Sequence, residues 1–138
     1  MKALLTAALL PLLAAPVALA QEDVTPGLWS YQANAALGPV PMRDSGTHCV
    51  DAEMARASYE RLLNDINDSC RVTRGAQRSD GYHFTLRCSG GPDGELNGTL
   101  VTDAESASLN ATGWTGTETD RVPVILSASA KKLSPSCS

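Results

Sequence analysis

Along residues 26–38, "PGLWSYQANAALG", apolar and polar side chains alternate. Trp29, Tyr31, Ala33, Ala35 and Leu37 share one parity, while Ser30, Gln32 and Asn34 take the other. A period of two predicts a strand with one buried face. Gly38-Pro39 and Pro41 interrupt it, and "RDSG" at 43–46 reads as a turn. The period then changes. Ala55, Tyr59, Leu62, Leu63 and Ile66 recur at spacings of three and four, one apolar stripe on a helix from about 51 to 66. Asp51 suits its N-cap, Glu53 complements the positive end of its dipole, and "NDINDS" supplies turn-forming residues at its far end.

Alternation returns after the helix. "CRVTR" and "YHFTLRC" flank the turn-rich link "GAQRSDG", and Tyr82, Phe84, Leu86 and Cys88 oppose His83, Thr85 and Arg87 in parity. Closing the turn near Ser79 sets Cys70 opposite Cys88 and Val72 opposite Leu86, so the apolar faces of the two strands agree. "GELNGTLVTD" and "SASLNATGWTGT" predict a second hairpin around "DAES"; Gly98 and Gly113 dilute its alternation and suggest bulges or bends. Val122, Val124, Leu126, Ala128 and Ala130 mark the last strand. The pattern predicts a mainly β (α+β) domain: an antiparallel meander of about six strands with one helix packed on it. An open sheet and one curled into a barrel both fit.

The first 20 residues stand apart from this pattern. Lys2 precedes an almost wholly apolar run, and Ala18-Leu19-Ala20 forms a small-x-small cleavage signal, so residues 1–20 read as a cleavable export signal. Pro11 and Pro16 and the lack of a stop-transfer pattern argue against a permanent anchor. Cleavage leaves residues 21–138, which is 138 minus 20 or 118 residues, enough for one domain with a modest core. Removing Lys2 leaves 10 Lys+Arg against 15 Asp+Glu, a net charge of −5. An acidic chain lacks the electrostatic footprint for nucleic acid and for anionic lipid headgroups. A periplasmic location and no transmembrane segment after cleavage are the expectations.

Four cysteines in an exported chain of this size read as two disulfides. Four cysteines allow three pairings. A helix from 51 to 66 is roughly 24 Å long, and the few residues back to Cys70 recover at most about 14 Å. Disulfide Cα atoms lie within about 7 Å, so Cys49–Cys70 fails. The hairpin register favours Cys70–Cys88, which leaves Cys49–Cys137, tying the chain before the helix to the C-terminal end.

Candidate chemistry is sparse. Ser129 and Lys132 fit a Ser-x-x-Lys pattern, but on an alternating strand they point to opposite faces. His48 and His83 lack a Gly-x-Ser-x-Gly elbow and any His-x-x-x-His spacing, so neither a triad nor a metal site is expected. "CSGGPDGE" lacks the helix and lysine of a phosphate cradle, and "NDINDS" lacks the glycine and glutamate of a calcium loop. Asn-x-Ser/Thr triplets at Asn67, Asn97 and Asn110 would accept glycans only in a eukaryotic secretory pathway. Arg71 facing Arg87 across the hairpin is unfavourable unless both splay into water or a carboxylate such as Glu95 intervenes. That pair, together with Trp29 and Trp114, is the candidate surface for a ligand or partner.

The order "PGLW", "CV" before an acidic cap, "CRVTR", a strand ending in Cys88, "GTL" and "AKKLSPSC" resembles the bacterial periplasmic family catalogued as domain of unknown function 3617. The likeness runs from Pro26 to Cys137 with all four cysteines in order. It departs at Ser134-Pro135, where a glycine commonly follows the "KRL"-like triplet, and at "GPVPM", a shortened Met- and Pro-rich segment. The resemblance implies compartment and fold and brings no catalytic residues to carry over; no cofactor is expected. The expected function is a non-enzymatic binding or interaction module for a small apolar ligand or an envelope protein. The alternative is an envelope-stress or enzyme-inhibitor-like protein acting through loops stiffened by the disulfides.

Overall fold

The computed structural model describes residues 23–64, 68–90 and 93–138. The predicted export signal, the last residues of the predicted helix including Ile66, Asn67, and part of the "GGPDG" turn lie outside the described residues.

Seven strands form one antiparallel sheet. They are β1 (Gly27–Leu37), β2 (Val40–Val50), β3 (Cys70–Arg78), β4 (Gly81–Cys88), β5 (Asp93–Thr102), β6 (Ser106–Gly116) and β7 (Arg121–Ser134). The spatial order is β2-β1-β7-β6-β5-β4-β3, so β3 to β7 form a meander and the β1–β2 hairpin joins it through β1 against β7. The edge strands β2 and β3 do not pair, and the sheet stays open.

The seventh strand is β2. Residues 43–46, read above as a turn, lie inside it and pair residue by residue with β1. The turn is Gly38-Pro39, where Gly38 adopts φ +58°, a left-handed conformation that glycine reaches at no steric cost. Alternation fails in β2 because neither of its faces is buried; every residue from Val40 to Cys49 is exposed. Main-chain pairing, not side-chain burial, makes this segment a strand.

The β3–β4 register begins as the sequence indicates, with Cys70 opposite Cys88, Arg71 opposite Arg87 and Val72 opposite Leu86. A register shift between Val72 and Arg74 then lets β3 continue to Arg78, so the seven-residue link shrinks to a turn at Ser79-Asp80. The second hairpin turns at residues 103–105 with no register shift along its length. Asp103 organises that turn, its carboxylate accepting the Glu105 and Ser106 N–H groups and the Ser106 hydroxyl. Of the bulges or bends expected at Gly98 and Gly113, the register shows no bulge at either. Each glycine lies instead where the sheet leaves no room for a side chain: a Cβ on Gly98 would sit 2.6 Å from Phe84 Cζ, and one on Gly113 would meet the Glu95 carbonyl.

The single helix of the sequence reading is two short ones, α1 (Ala52–Arg56) and α2 (Tyr59–Asn64). Asp51 caps α1, accepting from Met54 N–H at 2.7 Å. The break falls at Ala57, which is extended (φ −65°, ψ 147°), because Ser58 starts a second helix. Its hydroxyl accepts from Arg61 N–H and its carbonyl from Leu62 N–H. A serine inside a helical stripe competes as a cap for the helix it interrupts.

This connection carries the chain from one sheet edge to the other across the apolar face. The Tyr59 hydroxyl lies 2.9 Å from Thr102 Oγ1, and its ring sits 5.4 Å from that of Tyr82. Leu63, 3 % exposed, packs with Cys70, Phe84, Leu86 and Ala111 to form the core. The core is therefore off-centre, beneath α2 and over β3 to β6. Helices of five and six residues cannot hold themselves; burial of Leu63 holds α2 to the sheet.

Two disulfides close the structure, Cys49–Cys137 and Cys70–Cys88, with Cα separations of 5.6 Å and 4.0 Å. The first links the end of β2 to the tail beyond β7. The second joins directly opposed residues of β3 and β4 at the core.

Candidate functional site: the open face of the sheet

Strand alternation sends one parity under the helices and leaves the other parity facing solvent. The register places matching residues of that second parity in rows across the sheet. One row runs Ala76, His83, Thr99, Asn110, Ser127, Asn34 and Arg43, from edge β3 to edge β2. The adjacent row runs Arg74, Thr85, Asn97, Thr112, Ile125, Ala36 and Pro41. Short hydroxyl and amide side chains fill the middle strands, and guanidinium groups stand at both edges.

On β3 to β7 this face holds an open groove of about 640 Å³. Arg74, Arg78, His83, Thr85, Asn97 and Asn110 supply its polar lining, and Ile125, 60 % exposed, flanks it on β7. The Thr85 hydroxyl donates to Asn97 Oδ1 at 2.7 Å, which leaves that amide's N–H₂ as a donor. His83 Nε2 lies 2.6 Å from Asp80 Oδ1. The hydrogen bond to His83 holds the Asp80 carboxyl below the ordinary aspartate value, with the charges of His83 and Arg78 adding to the effect. The groove thus presents donors, acceptors and cations from five paired strands on one surface.

The four residues singled out from the sequence do not form one site. Trp29 is 4 % exposed on the apolar face, its indole N–H donating to the Thr25 carbonyl at 3.0 Å. Trp114 lies on the opposite, open face, half-buried beneath the Arg121 guanidinium at 4.3 Å. Arg71 and Arg87 are cross-strand neighbours, and their repulsion is relieved by divergence. Arg71 folds onto the carbonyls of Cys70 and Asp68, at 2.8 Å and 3.1 Å. Arg87 reaches Glu95 at 3.8 Å. Arg87 and Trp114 therefore border the open face, whereas Arg71 lines a shallow recess beside α2 with Glu60, Asn64 and Asp68.

His48 and His83 also lie apart. His48 is across from Trp29 and borders a hollow of about 490 Å³ beside α1, with Asp51, Met54 and Leu62. Among the described residues no group of three His, Cys, Asp or Glu side chains is placed to hold a metal ion. Sequence reasoning missed Arg74, Arg78, Asn97 and Asn110 as site residues. Their signal in the sequence is the polar parity of each strand, which no motif marks.

The architecture is that of a disulfide-stapled, open antiparallel sheet with a short helical strap over one face. Comparison with known proteins then assigns the chain to a family: the family described as "Protein of unknown function (DUF3617)" matches residues 24–137, and the chain belongs to it. No curated protein and no solved structure matches.

Proposed function

We propose that this is an exported, non-enzymatic binding protein that takes a soluble ligand or an envelope partner on the open face of its sheet. The observation that carries the reading is the groove on that face, where hydroxyl, amide and cationic side chains from five strands converge on one space. Export is supported by the leader-like residues 1–20 and by two disulfides, which persist in oxidising compartments such as the periplasm. No helix among the described residues is long and apolar enough to cross a membrane.

The test is native mass spectrometry of protein recovered from the periplasm, followed by amide chemical-shift mapping of whatever co-purifies. A stoichiometric companion whose shifts cluster at Thr85, Asn97 and Asn110 supports the proposal. Shifts confined to the hollow beside α1 would move the site to the other face.

A second reading has its own observation. Strand β2 is an exposed edge eleven residues long, and such edges accept an added strand from a partner. Pro41 and Arg43 interrupt that edge, a device by which sheets discourage indiscriminate pairing. A proteinaceous companion whose binding protects β2 amides from exchange would favour this reading.

A further inference from the structure

The net charge of the chain conceals how its charges are arranged. The sequence carries 11 Lys+Arg and 15 Asp+Glu, yet strand parity and register place Arg43, Arg74, Arg78, Arg87, Arg121 and Lys131 on the open face. The strand carboxylates on that face are Glu95, engaged with Arg87, and Asp93 at the start of β5, which accepts the Gly90 N–H. Asp80, at the rim, is engaged with His83. The other described carboxylates lie elsewhere: Asp23 ahead of β1, Asp44 on the opposite parity of β2 across from Ala33, Asp51, Glu53, Glu60 and Asp68 on the helical connection, and Asp103, Glu105, Glu118 and Asp120 in or beside turns. Among the described residues, the ion pairs engage Arg87 of these six cations and leave Arg43, Arg74, Arg78, Arg121 and Lys131 outside them. A chain that repels polyanions as a whole thus offers them one basic surface.

We infer that the open face binds an anionic oligosaccharide, one bearing carboxylate or phosphate groups on a sugar chain. This rests on the open face being the binding surface. Three features select this class. Guanidinium groups engage carboxylate and phosphate oxygens bidentately and with charge assistance. Between the basic edges stand Asn97, Asn110, Thr85, Thr99 and Ser127, whose amides and hydroxyls match sugar hydroxyls. The groove is open to solvent rather than enclosed, so an extended chain can lie across it. Sequence-tolerant binding of single-stranded nucleic acid needs exposed aromatic platforms, whereas Trp114 is covered by Arg121. A planar bilayer matches a groove poorly.

The experiment titrates the mature, oxidised protein with an oligogalacturonate, with a neutral malto-oligosaccharide of equal length, with phosphatidylglycerol vesicles and with single-stranded DNA. Binding is read by calorimetry and by amide shifts. The expected result is saturable binding of the oligogalacturonate alone, with shifts on β4 to β6. Raising salt from roughly 0.05 to 0.5 M should weaken it. The Arg74→Ala/Arg78→Ala variant should lose at least about ten-fold in affinity, and Arg56→Ala on α1 should not. Equal binding of the neutral sugar, unmoved by the arginine variant, overturns the anionic class while sparing the face. Preference for vesicles or for DNA also overturns the ligand class. Oligogalacturonate shifts confined to the helical side overturn the face itself. No binding of any probe by a variant-free, folded protein overturns the inference.

Discussion

Removal of the Cys49–Cys137 bridge isolates what that crosslink does to the unfolded chain. Both sulfur-bearing residues are exposed, so a Cys49→Ala/Cys137→Ala variant loses almost no packing. The bridge spans 88 residues of sequence. In the chain-entropy model a loop of that length removes about 15 cal/mol/K from the denatured ensemble, or about 4.6 kcal/mol at 25 °C. That is comparable with the whole net stability of a small domain. Urea unfolding followed by tryptophan fluorescence and circular dichroism measures it. With a slope near 2 kcal/mol/M the midpoint should fall by about 2 M, and the slope itself should rise because the uncrosslinked chain expands. A loss below about 1.5 kcal/mol with an unchanged slope would refute the reasoning, since the denatured chain would then have been compact without the bridge.

The remaining predictions probe the core, the close approach of strands and the acid limb. Removing Cys70–Cys88 as Cys70→Ala/Cys88→Ala should cost about 3 kcal/mol for its 18-residue loop, plus a packing loss at the buried Cys70, with a smaller change in slope. Leu63→Ala should cost about 2–5 kcal/mol and speed amide exchange through residues 59–64 more than through β6; uniform acceleration would count against the strap being held by this side chain. Gly98→Val should cost at least about 1–3 kcal/mol, because even its Cβ meets Phe84 Cζ, the Asn110 carbonyl and Ala111 Cβ within 3 Å; wild-type stability would show that β5 yields. The Asp103 carboxyl is held low by the Ser106 hydroxyl and then by the Glu105 and Ser106 N–H groups. Its contribution is present above the unfolded aspartate pKa of about 3.9 and is lost as pH falls through the lower folded value. Asp103→Asn should therefore flatten the loss of stability on acidification, and identical acid limbs would sink that account.

Much of the fold is legible in the sequence where a local signal meets a buried surface. The alternation of β1 and β7 appears because Trp29, Val124 and Leu126 face the covered side. The β3–β4 register is readable near Cys70 because two apolar parities and two cysteines coincide there. Farther along, Gly75 to Arg78 carry no apolar parity, so a strand that only pairs its main chain looks like a turn. Segment 40–50 fails for the same reason. The helical stripe places Leu63 in the core, yet Ser58 carries a cap signal that apolar periodicity does not register.

The candidate site was less legible because its residues share no window. Local order along the chain dictates which parity of each strand is polar, where α1 is capped, and that Cys70 can meet Cys88; these depend on nearest neighbours or on one hairpin. The pairing of β1 with β7 emerges on folding alone, and it brings Arg43 of one edge into the same row as His83 near the other. Strand order is settled by long-range pairing, whose loop-closure cost is offset only when a whole apolar face is buried together. The polar face inherits its arrangement from that burial, and so its basic rim around a hydroxyl- and amide-lined centre exists only in the folded sheet.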